Sequence, residues 1–302
     1  MGRSLRLGRF ACVVLISAAA AAACWGERFG GGNSGDSAAR IIFLDVGQGD
    51  ATLVISPDNR VALIDAGPAD KGIVGQLRRH GVDTVDIAIA THPHADHIEG
   101  LVEVFDALPV RHYMDNGVPQ TTRTYRDLLD RVRGSGVTYL EATPRSLRLG
   151  GIMLRVLPPP AEAPDLNNGS IAVVVEFGQF RALLTGDSGA EELSHFLQLG
   201  VPDVDVLKAA HHGSRDAVTP AWLAATKPEI VVISCGRDNP YGHPDPWAVR
   251  YYETAASQVY RTDIDGEVVI VIGEAGAYAV MTGRARTLAQ HDLTAARRRG
   301  AK

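Results

Sequence analysis

Cysteine is nearly absent. The 302 residues hold three, Cys12, Cys24 and Cys235, and two of them fall in the first 24 positions, so no disulfide framework can staple the body of the chain. Cys235 reads as a small buried residue; a minor ligand role stays open because it adjoins a candidate site loop. Long apolar runs are missing too. The one extended stretch, Phe10 to Ala23, has 14 residues, too short for a comfortable membrane span. No Walker loop or dinucleotide fingerprint occurs, so no nucleotide cofactor is expected, and no repeat recurs at a solenoid period. Positive charge is in deficit. The formal net charge is −5, but residues 40–283 carry 20 Lys+Arg against 32 Asp+Glu, a balance of −12. An acidic body does not advertise a broad nucleic-acid surface, although bound divalent ions would reverse the sign locally.

What is present begins with an export signal. Arg3, Arg6 and Arg9 precede the apolar run and small residues close it, the pattern of a secretory signal peptide. The run ends AAAAAAC. A cysteine directly after small residues resembles a bacterial lipobox, which would make Cys24 the lipidated first residue of a lipoprotein; Ala21 stands where the lipobox usually has Leu. An ordinary cleaved signal and an uncleaved anchor are the alternatives. The expected location is therefore the cell envelope, with the membrane reached through an N-terminal lipid. Residues 25–39 (WGERFGGGNSGDSAA) form a Gly/Ser-rich linker. A folded domain is expected over 40–283, and 284–302 is a basic tail with six Lys+Arg and one acid, Asp292.

Apolar content of 45% over this length can bury a sizeable core. Residues 41–46, 51–56 and 60–65 read as an antiparallel strand set, with SPDN as a hairpin turn. Helices are expected at 70–80, 97–107, 122–134, 188–199, 219–226 and 246–257. Further strands are expected at 85–90, 110–114, 137–141, 152–157, 171–177, 180–187 and 229–234, and two or three more close the domain (258–262, 266–272, 276–281). VDVLKAAHHGS reads as a strand that delivers Lys208, His211, His212 and Ser214 at its end. PPPAEAP and CGRDNPYGHPDP are loops. Strands followed by strand–helix alternation, in two halves that look alike, predict an α/β (α+β) fold with two mixed sheets face to face and helices outside.

The densest chemistry lies in THPHADHIEG, Thr91 to Gly100. His92, His94, Asp96 and His97 place four potential metal ligands within six residues; most of the chain's other histidines are isolated, so a chance polar loop explains this run poorly. It joins the buried strand IAIA to a helix, where a rigid scaffold can present side chains into a cleft. In an extended segment residues two apart share a face, so His92 and His94 can share one ion. Asp96 and His97 sit where the chain turns and can face a second. Asp187 closes another strand, as ligand or as N-cap of the next helix. GQGD places Asp50 at a strand start, and Asp65 ends ALIDAG.

These motifs resemble the metallo-β-lactamase fold superfamily, whose HxHxDH signature matches His92, His94, Asp96 and His97. Within it the chain looks like the ComEC-type branch, through LDVGQGDATLV, LIDAG, THPHADHIEGL, NNGSIAVVVEFG, RALLTGD, DVLKAAHHGS and YGHP, over roughly residues 41–272. The resemblance implies an αβ/βα four-layer sandwich with its metal site at one edge. Well-known relatives carry this domain beside a many-helix DNA-uptake channel; here a stand-alone exported form is expected, and the transport role is not carried over. The resemblance further implies two divalent metal ions, Zn or Mn, with His92 and His94 on the first, Asp96 and His97 on the second, and Asp187 bridging. The superfamily often has a histidine between the signature and the bridging Asp. DLNNGS stands there instead, with Asn167, Asn168 and Ser170, which weakens the first site or leaves the position to water or an Asn oxygen and lets oxygen-preferring Mn²⁺ compete with Zn²⁺.

The last ligand is open between His211 and His243. One would complete the second metal and the other would give a proton or contact phosphate. His212 would point to the opposite face if its strand persisted and is equally well a structural residue or a catalytic one. Lys208 is buried structure or an oxyanion contact. Asp50, Asp65 and Asn168 are expected to support the site or the substrate, and Gly213 and Ser214 to offer backbone N–H groups to a phosphate. The implied chemistry is a metal-activated water, oriented by Asp96, attacking a phosphoryl or carbonyl centre, with a histidine protonating the leaving oxygen. Phosphodiesters, DNA among them, are the expected substrates. Hydrolysis of a lactone or β-lactam is one alternative, and a non-enzymatic envelope lipoprotein with a structural metal site is another.

Overall fold

The computed structural model describes residues 38–284. The expected export signal, Cys24, nearly all of the expected linker and the tail beyond Arg284 lie outside the described residues. Among the described residues, no helix is long and apolar enough to cross a membrane.

The first half lays down β1 (Ala39–Phe43), β2 (Thr52–Ile55), β3 (Val61–Ile64), α1 (Ile73–Arg79), β4 (Val85–Ile89), α2 (Ala95–Ala107), β5 (Val110–Asp115), α3 (Arg123–Ser135) and β6 (Thr138–Glu141). The second lays down β7 (Arg145–Leu149), β8 (Ile152–Leu157), β9 (Ala172–Phe177), β10 (Phe180–Leu184), α4 (Ala190–Gln198), β11 (Val206–Lys208), α5 (Pro220–Thr226), β12 (Ile230–Ile233), α6 (Pro246–Ala255), β13 (Gln258–Arg261), α7 (Thr262–Asp265), β14 (Val268–Ile272) and β15 (Tyr278–Thr282). One sheet has eight strands in the order β15-β14-β1-β2-β3-β4-β5-β6; the other has seven, β13-β12-β11-β10-β9-β8-β7. The antiparallel set β1–β3 forms as expected, while β3 to β6 and β10 to β13 run parallel.

Three apolar layers hold this together. Ile41, Phe43, Val54, Ile64, Ile87 and Ile89 of the first sheet meet Leu154, Val156, Val173, Val175 and Ala182 of the second. On the first sheet's outer face Ile42, Leu53, Leu63 and Ala88 pack under Ile73, Leu77, Ile98, Leu101 and Leu128 of α1–α3. On the second's outer face Val174, Leu183, Leu207 and Val231 pack under Leu193, Phe196, Trp222 and Tyr252 of α4–α6. Successive side chains of a strand alternate between faces, and here both faces are covered, which is why the strands read as unbroken apolar runs. The result is an αβ/βα four-layer sandwich.

Two departures from the expected elements set the backbone at the rim of the sandwich. Helix α2 starts at Ala95, with His94 as its extended N-cap (ψ 149°), so Asp96 and His97 belong to its first turn. Strand β11 stops at Lys208, and a 3₁₀ turn takes over Ala210–Gly213. The strand does not reach the paired histidines.

Candidate metal centre

The carboxyl ends of β3, β4, β10, β11 and β12 open at a shared rim of the two sheets, where parallel strands place their loops. The first sheet contributes Asp65 and the His92–His97 run. The second contributes Asp187 after β10, His211 and His212 after β11, and the loop bearing His243 after β12. Non-glycine residues take left-handed backbone here, among them Asp65 (φ 56°), His211 (φ 47°) and His212 (φ 51°). Each costs on the order of 1–3 kcal/mol, and the surrounding contacts hold them there.

Asp96, His97, Asp187 and His212 converge, with one ligand atom of each within 4.8 Å of the others. Asp187 Oδ2 lies 3.2 Å from His97 Nε2 and 3.3 Å from His212 Nε2, and the latter is 3.3 Å from Asp96 Oδ2. The buried His97 Nε2, His212 Nε2 and Asp187 Oδ1 find no hydrogen-bond partner. Buried nitrogen and oxygen donors aimed at one point without bonding one another fit a divalent ion. His92 Nε2 and His94 Nδ1 approach to 2.9 Å beside this group, with His92 Nε2 3.9 Å from Asp187 Oδ2. Asp187 thus faces both pairs. It is not the N-cap of α4, whose cap is Gly189.

Second contacts select the tautomers. His97 Nδ1 donates to Asp65 Oδ2 at 2.8 Å and His212 Nδ1 to the Ser234 carbonyl at 3.0 Å, which leaves both Nε2 atoms free to ligate. For His92 the arrangement is indirect. Thr91 Oγ1 donates to Asp65 Oδ2 at 2.7 Å, and Ser170 Oγ donates to the Asn167 carbonyl at 2.8 Å. Both hydroxyl oxygens, 3.2 and 3.4 Å from His92 Nδ1, therefore act as its acceptors, and Nε2 is left as the lone-pair nitrogen. Ser170 Oγ also accepts from the Asp187 N–H at 3.2 Å. Sequence reasoning missed this role for Thr91 and Ser170; a hydroxyl directly preceding the histidine run was the available sign for Thr91.

Charge is balanced within the buried site. Burial opposes the charge on His97 and His212, yet Asp187, with Asp65 for the first and Asp50 for the second, holds both imidazoles well above their ordinary range; a divalent ion would take the place of the Nε2 proton on each. Burial likewise opposes ionisation of Asp187, but His212 and His97 hold it well below the usual carboxylate range. His92 is pushed well below its ordinary value by burial and by its neighbour His97. A second close group, Asp50, Asp65 and His97, already contains a cation. Lys208, 2% exposed, ion-pairs with Asp50 and donates to the Gly186 carbonyl at 3.0 Å. Lys208 is thus a buried counter-ion, turned away from any oxyanion.

Several expected placements are revised. The last histidine of the Asp96–His97–Asp187 group is His212; His211 stands further off, its Nε2 4.0 Å from Asp187 Oδ2 and 3.4 Å from Asn167 Nδ2. Left-handed backbone at both histidines, in place of a continued strand, produces this reversal. Asn168 caps α4, its Oδ1 accepting from the Gly189 and Glu192 N–H groups, and is not turned to a substrate. Ser214 cannot offer its N–H to a phosphate, because that group donates to the His211 carbonyl at 2.8 Å. Gly213 (φ 78°) packs against Pro244. Cys235 Sγ donates to Asp263 Oδ1 at 3.2 Å, burial with that carboxylate pushes the thiol up to about 12, and it is not among the converging ligand groups. His243 is half-buried, its ring 5.3 Å from that of His211 and 6.4 Å from that of His212.

Two face-to-face sheets that meet at a rim of buried histidines and aspartates define a metallohydrolase class of protein, and the residues present fit divalent ions. The profile of the Metallo-beta-lactamase superfamily matches residues 44–237, and the chain belongs to that superfamily. It is similar to ComE operon protein 3 of Bacillus subtilis, 28% identical over 77% of this chain and 33% of that protein. It is also similar to Recombination protein 2 of Haemophilus influenzae (28% identical; 74% and 28% covered) and to Competence protein ComA of Neisseria gonorrhoeae (28%; 81% and 34%). The chain spans about a third of the length of these relatives. Among solved structures the fold is similar to the metallo-β-lactamase fold protein YhfI from Bacillus subtilis (TM-score 0.51, 14% identity, 81% of this chain and 100% of that one). Igni18, a metallo hydrolase of the archaeon Ignicoccus hospitalis, is comparable (TM-score 0.51, 18% identity, 80% and 98%). The site is that of a metal-dependent hydrolase of this superfamily.

Proposed function

We propose that the chain is an exported phosphodiesterase, nuclease-like, of the ComEC-type branch. The observation that carries the proposal is the wall of the site between the His92–His94 pair and Asp187. In place of a ligand histidine from the DLNNGS segment stand Asn167 and Ser170, Ser170 Oγ accepting the Asp187 N–H and Asn167 Nδ2 lying 3.4 Å from His211 Nε2. Three further histidines, His211, His212 and His243, cluster beside them with ring centroids 5.3–6.4 Å apart. A site short of one nitrogen ligand and rich in imidazole at its mouth suits a phosphoryl group and an oxygen-preferring ion such as Mn²⁺ better than a lactam carbonyl. The similarity to competence and recombination proteins supports DNA as the substrate family.

His92 and His94 would hold one ion, Asp96, His97 and His212 the other, with Asp187 shared. Ions held there supply a water of lowered pKa and an electrophilic anchor for a phosphoryl oxygen. Asp96, on the first turn of α2, is the group placed to orient the attacking water. Burial and the neighbouring His211 and His212 hold His243 below its ordinary pKa; half-buried beside them, His243 is the histidine that would face the leaving oxygen. Export with lipid on Cys24 belongs to the same proposal; Cys24→Ser is expected to release the protein from membranes.

The test is hydrolysis of single-stranded DNA, a bis-aryl phosphodiester, a lactone and a β-lactam by residues 40–302 with Mn²⁺ and with Zn²⁺. Phosphodiester cleavage is expected, falling roughly 100-fold or more in Asp96→Ala and Asp187→Ala. Full activity in both variants, or activity independent of metal, refutes the mechanism.

A further inference from the structure

We propose that Tyr241 is a stacking platform for the base next to the scissile phosphate, so that the site prefers a nucleotide phosphodiester over one without a planar ring. This rests on the phosphodiesterase reading and adds to it a specificity-determining residue.

Tyr241 is 68% exposed, more than the other exposed large apolar residues Tyr139, Ile264, Leu199 and Val118. A solitary exposed tyrosine is ordinary. This one stands on an ordered loop next to His243, at the edge of the metal centre. Its ring lies nearly parallel to that of His243, at 15° and 6.2 Å, and His243 in turn touches the His211–His212 pair. Asn239 secures the loop from within: its Oδ1 accepts from the Tyr241 N–H at 3.2 Å and the His243 N–H at 3.1 Å, and its Nδ2 donates to the Gly236 and His243 carbonyls. The Tyr241 ring thus stacks toward His243 on one side and is largely solvent-exposed, on a loop whose backbone Asn239 has already ordered.

The neighbouring cations are engaged elsewhere. Lys208 is paired with Asp50, Arg215 lies 4.8 Å over the Trp247 ring, and Arg237 donates to the Asp263 carbonyl. A rim with these charges committed, on an acidic body, gains little from phosphate contacts away from the metals. A π-face grips a base whatever its identity and without added charge.

The experiment compares a thymidine dinucleotide with the same phosphodiester carrying abasic sugars, using Mn²⁺-loaded protein. Tyr241→Ala should lower kcat/KM for the dinucleotide roughly 5- to 100-fold, the range for loss of one base–aromatic stack, and leave the abasic substrate unchanged. Tyr241→Phe should retain activity on both. Equal losses on both substrates, or none on the dinucleotide, overturn the platform. Binding gives an independent reading: in Tyr241→Trp, indole fluorescence should be quenched by thymidine 5′-monophosphate and not by deoxyribose 5-phosphate. Quenching without cleavage of either substrate would sustain the platform and refute the phosphodiesterase reading. Cleavage without quenching would do the reverse.

Discussion

Glu192 offers a test of the site's surroundings that needs no substrate. It lies on α4 beneath the Asn167–Gly169 turn, 1% exposed, and its Oε2 accepts the Ser170 N–H at 3.2 Å. Burial pushes its carboxyl up from 4.5 to about 8; hydrogen bonds from Ser188 and Ser170 offset this in part, and Asp165 adds to it. The folded protein therefore keeps a proton that the unfolded chain loses above pH 4.5. Where the native state holds the extra proton, stability falls as pH rises, and the loss is complete once pH passes the folded pKa. Between pH 7 and pH 9 the linkage amounts to roughly 1.3 kcal/mol, or about 3–5 °C in Tm for a domain of this size. Glu192→Gln keeps the shape and removes the titration. Melting followed by circular dichroism in chelator, at pH 6, 7, 8 and 9, should show the variant gaining on the wild type by that amount between pH 7 and 9. Parallel curves for the two proteins would refute the assignment of a buried, protonated carboxyl.

Three further outcomes are expected. Gly49 has φ 141°, and a Cβ there would lie 2.2 Å from the Asp96 carbonyl oxygen; Gly49→Ala should cost about 2 kcal/mol or more by urea unfolding and lower activity by displacing Asp96, and a neutral result would contradict the close approach. Lys208→Met leaves Asp50 buried without its ammonium and should destabilise by about 3–5 kcal/mol, with the double variant Lys208→Met/Asp50→Asn recovering much of it in the same assay. By elemental analysis after dialysis, His212→Ala should lose more bound Mn²⁺ than His211→Ala; the reverse order would restore the His211 assignment.

The fold was largely legible because its strands are buried on both faces. ALID, DIAIA, AVVVEF and EIVVIS need no context to read as strands. Strand β7, Arg145–Leu149, was not legible: Arg145, Ser146 and Arg148 make it polar, and its place at the sheet edge needs few apolar positions. The ligand-rich run between β4 and α2 stood out by density alone. The division of labour between His211 and His212 did not, because it depends on left-handed backbone at two non-glycine residues, which local propensity disfavours. The hydroxyl relay to His92 was hidden for another reason. Thr91 meets Asp65 across adjacent strands, and Ser170 Oγ comes within 3.4 Å of His92 Nδ1 only after two sheets have come together; a pairing 78 residues apart is not announced by any local spacing.

The same division between sheets has a mechanical consequence. His92, His94, Asp96 and His97 ride on one half of the sandwich, Asp187 and His212 on the other. A divalent ion at this seam would act as a rivet between plates, and its binding free energy would count as resistance to prying the halves apart. Chelation should then loosen the seam before it melts either sheet. Amide exchange would speed first at the Asp187 and His212 loops, while β2, β3 and β9, held by their own ladders, exchange last.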